Sequence, residues 1–285
     1  MPPAQILITG TTGQVGGELL GLFPQALVPN RAALDLSDES SIRAYIRHHR
    51  PSWIINPAAY TAVDKAESEP QLAHDLNAEA PRILGEEARK IGATVIHFST
   101  DYVFDGTNPL PYLETDPTNP LGVYGASKLA GEQALAATGA AHVILRTSWV
   151  YGATGKNFLL TILKLAAERP ELKIVADQYG APTWSRDLAN LTAQIIASPT
   201  VPTGIYHATS SGSTTWHGFA TEALRLASIR TTLIPIPTSA YPTAARRPAN
   251  SRLNCDRLHR TFGIQLPGWQ QSLATIMSQL HQVSS

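Results

Sequence analysis

The sequence of 285 residues contains a single cysteine, Cys255, and no excess of charge of either sign. One cysteine excludes an intramolecular disulfide and suits a reducing cytoplasm, which is the location we expect. The 22 basic residues are balanced by 22 acidic residues, with no block of like charges. The composition therefore predicts neither nucleic acid nor a membrane surface as a partner.

Long apolar runs are also missing. No run approaches the length of a membrane-spanning helix, and no basic segment precedes the first apolar run, so we expect neither a membrane span nor a signal peptide. The nine histidines show no His-Glu-x-x-His spacing, and the sequence predicts no metal site. The 43% of hydrophobic residues is typical of a globular protein with one large domain, alone or with a smaller lobe.

Short apolar segments alternate with segments of helical spacing along the first half of the chain. Strands are predicted at residues 5–9, 26–28, 52–56, 93–98 and 142–146, and helices at about 38–49, at about 71–91 and from 124 onward. This alternation predicts a doubly wound parallel sheet of the Rossmann type.

After residue 150 the alternation becomes irregular. Helices are predicted near residues 157–169, 185–197, 216–227 and 269–280, with irregular segments between them. We therefore expect an α/β fold with a Rossmann domain over residues 1–150, to which some later segments return. Residues 151–285 would mainly form a smaller C-terminal α/β lobe that binds the substrate.

A glycine-rich turn follows the first predicted strand and precedes a helical segment. Gly10, Gly13 and Gly16 are spaced Gly-x-x-Gly-x-x-Gly, and strand, glycine turn and helix in this order are the context of a dinucleotide-binding fingerprint. The second predicted strand ends at Asn30-Arg31 rather than at an acidic residue. A basic end would accept a 2′-phosphate, so we expect NADP(H) here, with NADH as the alternative.

Tyr124 and Lys128 are four residues apart in a segment that favours a helix, so their side chains would share one helix face. An ammonium beside a phenol lowers the pKa of the phenol, which could then exchange a proton near neutral pH. A hydroxyl from Ser99 or Thr100 could bind the same substrate oxygen. The pattern predicts a proton relay for a carbonyl or an alcohol, although the spacing alone is common by chance.

Two polar, loop-like segments in the second half, residues 177–183 and 245–251, could form a lid over an anionic substrate. They could equally be ordinary surface loops, since composition alone does not separate these two interpretations.

In combination, Gly10-x-x-Gly13-x-x-Gly16, Ser99-Thr100-Asp101-Tyr102-Val103-Phe104 and Tyr124-x-x-x-Lys128 resemble the extended short-chain dehydrogenase/reductase family. Longer stretches, residues 61–67, 146–151, 177–183 and 246–251, are similar to those of the dTDP-4-dehydrorhamnose reductases within it. The resemblance runs from about residue 6 to the predicted C-terminal helix.

The resemblance implies an NAD(P)H-dependent reduction of a 4-keto group in a dTDP-sugar. It implies that Tyr124 donates the proton, that Lys128 assists it and binds the cofactor ribose, and that Thr100 polarises the carbonyl. The implied substrate contacts are Thr100, Asp101, Trp149 and Val63. The implied cofactor contacts, together with those predicted from the residues themselves, are Gly10, Gly13, Gln14, Val15, Gly16, Arg31, Asp35, Leu36, Ala58, Ala59, Tyr60, Thr61, Tyr124 and Lys128.

Some members of this family hold magnesium at a dimer contact through acidic residues. Here Ser185-Arg186-Asp187 places a basic residue in the corresponding stretch, so magnesium is doubtful and the expected state is a monomer or a homodimer.

Three alternative functions share part of this sequence pattern. Dehydratases of the superfamily carry Asp-Glu after the catalytic threonine, whereas Tyr102 follows Asp101 here. Epimerases keep a tightly bound NAD, which the basic end of the second strand fits poorly. A non-catalytic relative, the regulatory subunit of methionine adenosyltransferase, would bind NADP and a partner protein without turnover.

Overall fold

The computed structural model describes the backbone of residues 5–284 and the side chains of residues 5–280. The strands are β1 (Ile6–Ile8), β2 (Trp53–Asn56), β3 (Thr94–Thr100), β4 (Ala141–Thr147), β5 (Val150–Tyr151), β6 (Glu171–Val175), β7 (Tyr179–Gly180), β8 (Thr183–Trp184), β9 (Gly204–His207), β10 (Thr214–Thr215) and β11 (Thr232–Ile236). The α-helices are α1 (Gln14–Leu22), α2 (Glu39–His49), α3 (Val63–Ala66), α4 (Pro70–His74), α5 (Ala80–Ile91), α6 (Val123–Ala137), α7 (Phe158–Glu168), α8 (Ser185–Ala197), α9 (Trp216–Leu226), α10 (Asp256–Phe262) and α11 (Trp269–Ser284).

A parallel sheet of five strands, in the order β1-β2-β3-β4-β9, forms the centre of the molecule. Successive residues of a strand point to opposite faces, and here both faces are apolar. Leu7, Ile54 and Ile144 pack with α2, α5 and α6 on one face, whereas Ile8 and Ile55 pack with α1 and α8 on the other. Helices on both faces of a parallel sheet confirm the predicted doubly wound Rossmann-type fold.

The predicted strand at residues 26–28 is wrong. Leu27 makes a single bridge with Leu7, in which its amide donates to the Ile6 carbonyl at 2.7 Å and its carbonyl accepts from Ile8 at 3.0 Å. Pro29 has no amide hydrogen, so the ladder cannot continue beyond Val28. The fifth strand of the sheet is instead β9, from a segment in which no strand was predicted.

A second, smaller group of elements lies C-terminal to β4. Here β6 and β11 pair in parallel, and α7 and α9 pack on them around a core that includes Phe158, Phe219 and Leu224. The helices predicted after residue 150 are all present, and α7 begins after Asn157, whose side chain accepts from the Leu160 amide. Within the described residues, no helix has the length and apolar content needed to cross a bilayer.

The helix predicted at about residues 71–91 contains a π-helical turn, Asp75–Glu79, between α4 and α5. Pro81 lacks the amide that would bond to the Asn77 carbonyl in an α-helix, which favours the wider turn. The freed Asn77 carbonyl lies against Gly131 of α6, where any Cβ atom would overlap it. The backbones of the two helices therefore approach closely only because residue 131 is glycine.

We expect Gly131→Ala to lower the free energy of unfolding by about 1–3 kcal/mol, because the added methyl forces the two backbones apart. Thermal unfolding followed by circular dichroism measures this cost. Gly21, also helical and with open space around it, provides the control: Gly21→Ala should be neutral or stabilising.

Candidate active site

A cleft of about 620 Å³ opens at the carboxyl ends of the central strands, where open α/β sheets bind ligands. Its walls come from the glycine turn after β1, the loop after β2, the end of β3, the first turns of α6, and the chain after β4. The predicted site residues that line it are Gly10, Gly13, Gln14, Val15, Gly16, Ala58, Ala59, Thr61, Val63, Thr100, Asp101, Tyr124, Lys128 and Trp149. The structure thus brings most of the predicted residues together.

The glycine turn delivers the N-terminus of α1 into this cleft. Gly13 is the N-cap residue of α1, and no side chain caps the helix there. A Cβ atom on Gly16 would overlap the Gly10 carbonyl, so glycine is required for the turn to close. Free amides at a helix N-terminus bind phosphate. The turn therefore fits the pyrophosphate of a dinucleotide.

The loop after β2 is held by a residue that the sequence interpretation missed. Asn77, in the π-helical turn, accepts from the Tyr60 amide at 2.8 Å and donates to the Tyr60 carbonyl at 3.0 Å. Its amide nitrogen also lies 3.0 Å from Ser127 Oγ on α6. Asn77 thus ties the loop to the helix that carries Tyr124. An isolated asparagine in a helical pattern carries no sequence signal of this role.

Four predicted cofactor residues do not line the cleft: Arg31, Asp35, Leu36 and Tyr60. Arg31 is 80% exposed, and its Nε lies 3.2 Å from Asp35 Oδ2. The Tyr60 hydroxyl donates to Glu69 at 2.6 Å, and Glu69 does not line the cleft either. Their roles toward a cofactor stay predictions.

Thr100 and Asp101 lie where β3 ends. The Thr100 hydroxyl accepts from the Tyr102 amide at 3.1 Å and donates to Asp101 Oδ1 at 3.0 Å. Burial raises the pKa of Asp101 to about 7. Its Oδ2 atom is buried and has no hydrogen-bond partner among the described residues. A carboxylate oxygen in this state is suited to accept a hydroxyl of a bound sugar.

Tyr124 and Lys128 occupy the first turns of α6, as the four-residue spacing predicted. Burial raises the pKa of Tyr124 to about 12, while its hydrogen bond with Thr100 acts in the opposite direction. The expectation that Lys128 lowers the pKa of this phenol is therefore wrong for the protein by itself. Lys128 Nζ instead donates to the Phe98 carbonyl at 2.5 Å, and burial lowers the pKa of Lys128 to about 8. Tyr124 therefore keeps its proton at neutral pH and is suited to act as an acid.

An aromatic wall closes the other side of the cleft. Trp149 has a positive φ of 48°, which is unusual for a residue with a side chain, and its ring stacks on Trp216 with centroids 3.6 Å apart. The Trp216 indole donates to Gln178 at 3.1 Å. Trp149 was predicted to contact substrate, whereas Trp216 was missed because it lies 67 residues later in the chain.

The loop at residues 245–251 lies beside the cleft. Arg247 Nη2 is 2.7 Å from Asp64 Oδ2 at the start of the chain segment that forms α3, and the Ala245 amide donates to Asp64 at 3.1 Å. This ion pair joins the segment that follows β11 to the loop region after β2. Arg246, for which no hydrogen bond is described, lines a small separate pocket together with Tyr102 and Tyr124, which also line the cleft.

In the Ser185-Arg186-Asp187 stretch, Arg186 Nε donates to Glu18 at 2.9 Å and Nη1 donates to Gln279 at 3.2 Å. A guanidinium therefore neutralises Glu18 at this point. Among the described residues, no cluster of three or more His, Cys, Asp or Glu side chains is placed to hold a metal ion.

Comparison with known proteins agrees with this geometry. The family model described as the RmlD substrate binding domain matches residues 4–282. The dTDP-4-dehydrorhamnose reductases of Burkholderia thailandensis and of Escherichia coli K12 are each 46% identical, over 97% and 96% of this chain and 99% and 97% of theirs.

Solved structures give the same result. The dTDP-4-dehydrorhamnose reductase of Bacillus anthracis in complex with NADP is 35% identical, with a TM-score of 0.92 over 97% of this chain and 99% of that one. A UDP-glucose 4-epimerase of Thermotoga maritima, 16% identical with a TM-score of 0.84, shares the fold alone. On the family model and these relatives, the chain belongs to the dTDP-4-dehydrorhamnose reductase family.

Proposed function

We propose that this protein reduces the C4 ketone of dTDP-4-dehydro-L-rhamnose to give dTDP-L-rhamnose, with NADPH as the reductant. The observation that carries the proposal is the convergence of Thr100, Tyr124 and Lys128 on a cleft that begins at an uncapped, glycine-rich helix N-terminus. The family membership supplies the substrate class, and the NADP complex of the Bacillus anthracis relative supports the cofactor.

When bound, NADPH supplies the hydride that reduces the ketone carbon. Negative charge then develops on the ketone oxygen, and two hydroxyl groups are available to stabilise it. Tyr124 donates its proton to this oxygen, and the Thr100 hydroxyl, which donates to Asp101 in the structure, turns to donate its hydrogen bond to the ketone oxygen. Asp101 accepts from a sugar hydroxyl, and Trp149 packs on the sugar. Lys128, four residues from Tyr124 on α6, would return a proton to the phenolate that this transfer leaves.

The test is the absorbance of NADPH mixed with the protein and freshly prepared dTDP-4-keto-L-rhamnose, with the product identified by mass spectrometry and NMR. Oxidation of NADPH with formation of dTDP-L-rhamnose would support the proposal. Tight NADPH binding without oxidation would contradict it and favour a non-catalytic binding protein, whereas turnover of only another 4-keto sugar nucleotide would change the substrate.

Arg31 provides a separate prediction about the cofactor. A guanidinium that contacts the 2′-phosphate favours NADPH over NADH, so Arg31→Ala should reduce the ratio of kcat/KM for NADPH to that for NADH by about tenfold, equivalent to about 1.4 kcal/mol. The measurement is steady-state kinetics with each cofactor. Arg50→Ala, which removes an arginine at the C-terminal end of α2, serves as the control, and an unchanged ratio in Arg31→Ala would assign the selectivity to other residues.

We also infer that the protein works in the cytoplasm as a monomer or a homodimer. The presence of a single cysteine and the membership of the protein in a family of biosynthetic reductases support this location. The Arg186–Glu18 pair provides a charge contact that does not need a metal ion. Analytical ultracentrifugation with and without a chelator tests the assembly state and its dependence on metal.

A further inference from the structure

The chain after β5 forms a short loop, residues 152–156, that lies against the glycine turn. The loop lines the cleft with residues 154–156. Two close approaches of its backbone fix where it lies. A Cβ atom on Gly152 would lie 3.1 Å from Gln14 Oε1, and one on Gly155 would lie 4.0 Å from Gln14 Cγ. The loop therefore packs on the first residue of α1, next to the free amides of that helix.

A buried asparagine holds this loop in its conformation. Asn157 Nδ2 donates to the Gly152 carbonyl at 2.9 Å and to the Thr154 carbonyl at 3.2 Å. Its Oδ1 accepts from the Leu160 amide at 3.1 Å and so caps α7. Asn157 is 7% exposed. Because one buried side chain ties both carbonyls to the start of a helix, Lys156 is carried on a preformed segment.

The glycine turn needs a positive charge from elsewhere in the chain. Residues 10–16 include no lysine or arginine, whereas the pyrophosphate of a dinucleotide is anionic. Among the described residues, the charged side chains that line the cleft are Asp101, Lys128 and Lys156. Lys128 is 1% exposed and already lies 3.2 Å from His97 Nε2. Lys156 is exposed and has no ion pair with any described residue, so its ammonium group is available to a ligand.

We propose that Lys156, held by the loop that Asn157 closes, binds the pyrophosphate of NADPH together with the amides at the start of α1. The inference deepens the proposed function, because it rests on the cofactor assigned there. An ammonium group and a phosphate form a charge-assisted hydrogen bond, which is stronger than one between neutral groups. The contact joins the segment that follows β5 to a cofactor bound at the turn after β1. Lys156 is a binding residue and takes no part in the transfer of hydride or proton.

The diphosphate of the sugar nucleotide is the other anion that the cleft must accept. Position favours the cofactor. The loop touches Gln14 at the glycine turn, whereas the groups assigned to the sugar include Asp101 at the end of β3 and Tyr124 on α6. Binding experiments with each anion separate the two sources.

Titration calorimetry with NADPH and with NADH, in the absence of substrate, tests the proposal. Lys156→Met keeps the apolar stem and removes the charge. We expect both dissociation constants to rise by the same factor, about tenfold, because both cofactors carry the pyrophosphate. The factor should become smaller at about 1 M salt, which screens an exposed charge pair. Lys156→Arg should keep most of the affinity. Lys164→Met, at an exposed lysine of α7 outside the cleft lining, is the matched control with unchanged binding.

Other results would overturn the assignment. Unchanged affinity for both cofactors in Lys156→Met would contradict it, and a loss for NADPH alone would place Lys156 at the 2′-phosphate. The same variant is titrated with dTDP, and a loss of dTDP affinity as large as that of NADPH would assign the lysine to the substrate. None of these measurements needs turnover, so they can be interpreted even if the reduction assay fails.

Asn157→Ser provides a second readout. Serine still caps α7, but it lacks the amide group that holds the Gly152 and Thr154 carbonyls. Because the loop then no longer fixes Lys156, we expect NADPH to bind about threefold more weakly. This loss should disappear when Asn157→Ser is combined with Lys156→Met, since the two residues act through one contact. An equal loss in both backgrounds would contradict the placement of Lys156 by this loop.

Discussion

Replacing Tyr124 with phenylalanine is expected to lower kcat by about 10²- to 10⁴-fold, because the substitution removes the proton donor and leaves the ring. Thr100 can still donate a hydrogen bond to the ketone oxygen, but the developing alkoxide has no positioned acid. The Tyr124 ring packs edge-on against Tyr102, with centroids 5.8 Å apart, and phenylalanine preserves this contact. The free energy of unfolding should therefore change little.

The measurement is the single-turnover rate of NADPH oxidation, with the dissociation constant of NADPH measured by fluorescence on the same sample. Tyr45→Phe removes a tyrosine hydroxyl from α2, outside the cleft lining, and serves as the matched control with wild-type kinetics. An active Tyr124→Phe variant would assign the proton to another group. Loss of NADPH binding together with activity would instead indicate a role in holding the cofactor.

The sequence was sufficient to predict the parts of the fold that depend on local patterns. Each of the strands β1 to β4, and also the glycine turn, is formed by one short continuous segment whose residues show the pattern. The spacing of Tyr124 and Lys128 likewise predicts that both side chains lie on one face of their helix. Strand β9 was not predicted, and a full strand was predicted where Leu27 makes only one bridge. In both cases the pairing of a short segment depends on its tertiary contacts more than on its own β-propensity.

The candidate site shows the same division. Roles could be assigned from the sequence to residues in motif segments. Asn77, His97 and Trp216 are brought to the site only by contacts between segments that are distant in the sequence, which the sequence pattern does not show. The pKa of Tyr124 was mispredicted for a similar reason. The spacing places Lys128 on the same helix face, but it contains no information on burial or on the Phe98 carbonyl, which accepts a hydrogen bond from the lysine.

The largest expected effect on stability is at the ion pair between Arg146 and Glu132, which lies beneath the site. Arg146 Nη2 is 2.6 Å from Glu132 Oε2, and both side chains are at most 3% exposed. Ser99 also donates to Glu132, at 2.5 Å. Arg146→Met keeps the apolar volume but leaves the Glu132 carboxylate buried with one hydroxyl as partner. We expect the free energy of unfolding to fall by about 3–5 kcal/mol.

Chemical denaturation of the variants separates the cost of an unpaired charge from the net contribution of the pair. The double variant Arg146→Met with Glu132→Gln removes both charges, so it should recover much of the loss seen in Arg146→Met alone. Arg225→Met, at an ion pair with the arginine 65% exposed, should cost less than about 1 kcal/mol. If the double variant had the same free energy of unfolding as Arg146→Met, the loss of stability would come from the missing attraction between the two side chains and not from an unpaired Glu132 charge. Because Glu132 lies on α6 and Ser99 adjoins Thr100, both variants should also lower kcat through the placement of Tyr124 and Thr100.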